Sequence, residues 1–251
     1  MTECARRDVG DLLKDDLQAL KEAAEPMRPR DRRAIRQRVE AVRWSLVEAP
    51  EVTIGLAAMG ADWMKRAGET PWPDSCSKMG EHLLREYLSV WDAARLSRVA
   101  LESTVRYAHA SGDLLAQLVR TSLQSCGDEA RCGLARMVTR EGRGCTKCSI
   151  AHPDNRTLSD YLAEYWRSPQ YRYIQAADNR MKHRNLMLHG IRASLVPSVE
   201  EIVVRQWLTG FSHDGRQHRK TTLLMLTAKI RRLQTLARPV IRELSVRLAV
   251  A

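Results

Sequence analysis

The sequence predicts an all-α protein: helical bundles with a Gly/Cys-rich insert and no significant sheet. Three observations carry that reading. Apolar residues recur at steps of three and four in nearly every segment. Helix start and stop residues bracket those segments. No convincing alternation of period two is found, and no internal repeat.

The elements follow in order. "LLKDDLQALKEAA" reads as a helix ended by Pro26. Asp31 is placed to cap "RRAIRQRVEAVRWSLVEA", whose Ile35, Val39, Val42 and Leu46 form one stripe, and Pro50 closes it. "TIGLAAMGADWMKRA" is a weaker helix because it holds two glycines. Residues 78–110 read as a long helix through Leu84, Leu88, Trp91, Val99 and Val105, broken at Gly112 and Asp113 before "LLAQLVRTSL" resumes. Residues 125–155 are rich in Gly and Cys, with one short helix expected near 129–140. "TLSDYLAEYWRS" is a short helix. Ser168 then Pro169 signals another start, Ser as N-cap and Pro at the first helical position. That helix is expected to run to about His189, with Gly190 as its stop. "SVEE" at 198–201 has the capping-box pattern, opening a helix through Ile202, Val203 and Trp207. "TGFSHDGRQHRK" reads as a polar loop. A final helix over Thr221 to Val250 carries Leu223, Leu226, Ile230, Leu233, Ala237, Val240 or Ile241, Leu244 and Leu248 on one stripe, with a kink expected at Pro239.

Three regions result: a helical scaffold over 1–124, a Gly/Cys-rich connector over 125–155, and a basic helical region over 156–251. At 251 residues with 44% apolar and 28% charged side chains, the chain is long and apolar enough for a real core, and disorder is excluded. No run of apolar residues is long enough to span a membrane, and "MTECARRDVGDLLKDDLQ" has no apolar signal core. The expected location is therefore the cytoplasm, with reduced cysteines unless they hold metal.

The formal net charge is +11, and its position matters more than its size. Residues 156–251 carry 17 Lys and Arg against 7 Asp and Glu, net +10. GC-rich coding would explain 33 Arg against 8 Lys, but not the shortage of acids after residue 155. The asymmetry points to a polyanionic partner such as a nucleic acid. The candidate contacts are Arg180, Lys182, His183, Arg192, Arg231, Arg232 and Arg238.

Inside this block stands "MKHRNLMLHG", residues 181–190. An Arg fork binds phosphate at two points and stabilises charge building there. A His exchanges a proton near neutral pH. If the stretch is one helix, Asn185 and His189 share a face, while Arg184 and His189 lie about 140° apart around the axis. Either Arg184 would then have to reach round with its long side chain, or a second copy of the motif would have to supply the other half of the site. The bland alternative is an exposed Arg on a helix that ends in a capping His.

The pattern R-N-x-x-x-H followed by Gly resembles the signature of the HEPN superfamily. The resemblance covers ten residues and an all-α context. It implies a dimeric helical protein, often a metal-independent endoribonuclease of toxin–antitoxin, abortive-infection or CRISPR defence systems. It further implies that the RNA's own 2′-hydroxyl attacks the adjacent phosphate. His189 would move protons, Arg184 would stabilise the charged phosphorus centre, and Asn185 would orient them. No cofactor is implied for catalysis. The partners expected are RNA and either a second copy or a larger defence complex. A non-catalytic nucleic-acid-binding subunit of a CRISPR-type effector stands as the alternative.

Cys126, Cys132, Cys145 and Cys148 offer a possible structural zinc site. "CTKC" is a good knuckle, but the five residues inside "CGDEARC" are loose, and free cysteines also pack as small apolar residues. His213, Asp214 and His218 could form a metal or general-base site, or a plain polar loop. No glycine-rich phosphate loop, nucleophile elbow or H-E-x-x-H is present. The six Trp residues read as core, and with aromatics at 5% a single-strand binder built on base stacking is not expected.

Overall fold

The computed structural model describes residues 8–69, 76–123, 133–138, 156–184, 189–196 and 201–250. It is predominantly helical, with a few short antiparallel strands between residues 189 and 222. Helix α1 spans Val9–Ala23, α2 Pro29–Arg43 and α3 Ala49–Glu69; α4 runs unbroken over Cys76–Ser122. Then come α5 Leu134–Val138, α6 Arg156–Arg167, α7 Pro169–Arg184 and, after the strands, α8 Leu223–Val250.

The chain forms two compact units. The first comprises Met1–Pro50, Arg106–Gln175 and Ala228–Ala251; the second comprises Glu51–Val105 and Ala176–Thr227. Neither coincides with a sequential block of the chain.

In the first unit, Asp8 caps α1 by accepting from the Gly10 N–H at 2.9 Å. The stripe Ile35, Val39, Val42 and Leu46 is fully buried. Helix α2 starts earlier than Asp31 suggested, because Pro29 takes the first helical position; Asp31 sits in the first turn, where a negative charge suits the helix dipole. Pro50 does not close the helix either. A π-helical turn, Trp44–Glu48, leads straight into α3. Pro50 has no N–H to give the Leu46 carbonyl four residues back. The buried Gln234 of α8 donates to that carbonyl instead, Nε2 to O 3.0 Å.

The expected break at Gly112–Asp113 is absent, because both residues serve packing inside α4. A Cβ at Gly112 would lie 2.4 Å from the Tyr171 hydroxyl, so glycine admits that ring. Asp113 accepts from the Leu134 N–H at 3.0 Å and anchors α5, the short helix expected there. Ser168 caps α7 as expected, accepting from the Tyr171 N–H at 3.2 Å. Leu226, Ile230, Leu233, Ala237, Val240, Ile241, Leu244 and Leu248 are buried on α8, Leu223 at its start is only half-buried, and Pro239 lies within the helix.

Of the long stripe expected on α4, Val105 is buried as read, the side chains of Leu84 and Leu88 lie outside the described residues, and Trp91 and Val99 are misplaced. Trp91 and Val99 are exposed; the buried face carries Ala93, Ser97, Ala100, Thr104, Ala108 and Ser111. Small and hydroxylated residues bury well in a tight helix contact but do not stand out as apolar. Each hydroxyl finds a partner: Ser97 the Ala57 carbonyl at 3.4 Å, Thr104 the Thr53 hydroxyl at 2.6 Å, Ser111 the Tyr165 hydroxyl at 2.9 Å.

In the second unit, α7 stops at Arg184 and does not reach His189. His189–Val196 is strand β1, and Glu201–Leu208 is strand β2, not a helix opened by "SVEE". The β-branched Ile202, Val203 and Val204 favour a pleated strand over a helix. Strand β2 lies between β1 and the short β5, Thr221–Thr222, all antiparallel. The polar loop is a hairpin, β3 Phe211–His213 and β4 Arg216–His218. Asp214 and Gly215 turn it with φ of 48° and 72°, both left-handed as a type I′ turn requires.

Candidate nucleic-acid interface

The motif straddles a change of structure. Arg184 is the last residue of α7, and His189 is the first of β1, in register with the buried Leu208. The expectation that Asn185 and His189 share a helical face therefore fails, and the angle of about 140° between Arg184 and His189 with it. Asn185 lies outside the described residues, as do the side chains of His183, Arg184 and His189.

Upstream, Lys182 is exposed and pairs at 2.5 Å with Asp178, whose side chain is buried one turn before it. Arg180 is half-buried on the same helix. Downstream, Arg192 of β1 is exposed and lies in register with Arg205 of β2, also exposed. Gly190 lies opposite Trp207.

The arginines of α8 are differently placed. Arg231 binds Asp8 at 2.9 Å; Arg238 and Arg242 both bind Asp16, at 2.6 and 2.9 Å. These pairs fasten α8 to α1. Arg232 is exposed and flanks an open pocket of about 460 Å³ with Glu164, Arg167 and Gln170.

The four candidate zinc ligands, Cys126, Cys132, Cys145 and Cys148, lie outside the described residues. Among the described residues no group of three or more His, Cys, Asp or Glu could hold a metal ion. His213 and His218 do not converge on one centre. His213 faces Arg216 across the hairpin, and His218 stacks on Phe211 with ring centroids 4.7 Å apart. Lys229 has its pKa lowered by burial, and its ammonium sits 4.6 Å from the Tyr173 ring centre.

Sequence reasoning passed over Arg205, Trp207 and Lys220. The signal was present: Arg205, Gln206, Trp207 and Leu208 run exposed, buried, half-buried, buried. A buried glutamine disguised the alternation. Nor do the Trp residues all serve the core, since Trp44, Trp63 and Trp91 are about half exposed.

No family model matches this chain, and neither a curated protein nor a solved structure does. No described helix is long and apolar enough to cross a membrane.

Proposed function

We propose that this chain is an RNA-binding endoribonuclease of the HEPN kind, with Arg184, Asn185 and His189 at its reacting centre. The observation that carries the reading is continuity. The R-N-x-x-x-H pattern ends on the first residue of a strand whose fourth residue, Arg192, faces Arg205 on an exposed basic surface. A polyanion held on that surface runs along the strand that the motif's histidine begins, although by register His189 lies on the ladder's other face, opposite Leu208. At that strand end the motif supplies an arginine suited to charge stabilisation and a histidine suited to proton transfer. Such cleavage consumes no metal: the 2′-oxygen forms a bond to phosphorus, the bond to the 5′-oxygen breaks, and a cyclic phosphate remains.

A specific observation favours a second reading, a binding subunit without catalysis. Arg184 and His189 belong to different elements, so no single helix holds them in register. Incubation of the protein with RNA in EDTA separates the two. The first reading predicts cleavage with cyclic phosphate ends, abolished by Arg184→Ala or His189→Ala. Tight binding without cleavage supports the second. Cleavage undiminished in both variants contradicts the assignment of the motif.

A further inference from the structure

The outward face of the three-stranded sheet has a composition that folding alone does not explain. Residues opposite one another in an antiparallel ladder share a face, and faces alternate along a strand. Arg192 and Arg205 are opposite; Trp207 is two residues beyond Arg205 and opposite Thr222. These positions form one face. Gln206 and Leu208 form the other and are buried, with Gln206 donating to the Ala57 carbonyl of α3 at 2.9 Å. The inner face is thus fastened to α3, while the outer one carries two exposed arginines and a half-exposed indole.

Like charges directly opposite on a ladder destabilise it. Neither Arg192 nor Arg205 has an ion pair among the described residues. An anion between them removes the repulsion, and two guanidinium groups suit a phosphate. The Lys220 ammonium lies 5.7 Å from the centre of the Trp207 ring, and Arg219 beside it is exposed. Gly190, opposite Trp207, has no side chain to cover the indole. Cations interleaved with an accessible aromatic ring are what a single nucleic-acid strand requires: charge for the backbone and a π-face for a base.

We infer that this face binds single-stranded RNA. A phosphate sits between Arg192 and Arg205, a base stacks on Trp207, and Lys220 leaves the ring for a neighbouring phosphate. The inference rests on the RNA reading above and locates the strand on the protein.

The test is fluorescence anisotropy of a labelled single-stranded RNA, titrated with the full chain at several salt concentrations. The double variant Arg192→Gln/Arg205→Gln should bind at least tenfold more weakly, and its salt slope should fall by about 0.7 for each phosphate it no longer neutralises. Trp207→Ala should cost about ten- to hundredfold with little change in slope, and Trp207→Phe should recover most of it. A matched duplex should show no dependence on Trp207. Circular dichroism confirms folding; if Trp207→Ala unfolds, the arginine pair and the Phe variant decide the matter. Wild-type binding that survives all these changes overturns this inference and leaves the RNA reading standing. Absence of binding by the wild type overturns both. Poly-glutamate displacing the RNA as well as unlabelled RNA does would show a general anion surface and overturn the role given to Trp207.

Discussion

Two sets of arginines in the basic region look alike in the sequence and differ in the fold. Arg231, Arg238 and Arg242 sit on α8 with carboxylates of α1 and its cap against them. Arg192 and Arg205 sit on a sheet face, opposite each other and exposed. The first set neutralises charge within the molecule and holds two helices together. The second concentrates charge where a partner can reach it. A net charge of +10 over 156–251 therefore overstates what is available for binding, and the register of a ladder says which part is.

The largest stability effect expected from this contrast is at Asp16. Its side chain is mostly buried and serves two guanidinium groups, of which Arg238 is also mostly buried. Asp16→Ala leaves that charge without its partner and should cost about 2–3 kcal/mol, read from urea denaturation. Next is Gln234→Leu, which deprives the Leu46 carbonyl of its side-chain donor. It should cost about 1–2 kcal/mol on the same assay. Arg231→Ala breaks a pair exposed on both sides and should cost under about 1 kcal/mol, falling further at high salt. Smallest is Arg205→Gln. Relieving the repulsion with Arg192 should leave stability unchanged or raise it by about 0.2–1 kcal/mol. A loss of stability there as large as that at Asp16 would erase the distinction between the two sets.

The legible part of the fold was the part written in large apolar residues and caps. The stripe from Ile35 to Leu46, the Ser168–Pro169 start and the core stripe of α8 from Leu226 to Leu248 all stand as read. The reading failed where small residues make the core, as at Ser97, Thr104 and Ser111, and where a helix breaker serves packing instead. Gly112 admits a tyrosine ring, and Pro50 is accommodated by a glutamine far along the chain. Neither partner is visible from local sequence.

The strands were the larger miss, and their signals were present. Ile191, Arg192, Ala193, Ser194 and Leu195 alternate, and Asp214–Gly215 is a strong hairpin signal. A capping-box pattern at 198–201 outweighed them. The candidate site was legible only as a set of residue types. That Arg184 ends a helix while His189 begins a strand changes how the motif can act, and no spacing rule discloses it.

The most direct test of the contrast is a charge-matched pair, Arg205→Gln and Arg242→Gln. Each removes one positive charge. The melting temperature and the salt dependence of RNA binding are measured for both. The account predicts that Arg242→Gln lowers the melting temperature and leaves the salt slope as in the wild type. Arg205→Gln should lower the slope, by up to about 0.7 for the phosphate it shares with Arg192, and leave the melting temperature unchanged or slightly raised. Equal losses of binding in the two variants would show that the protein uses its charge in bulk and would contradict the account.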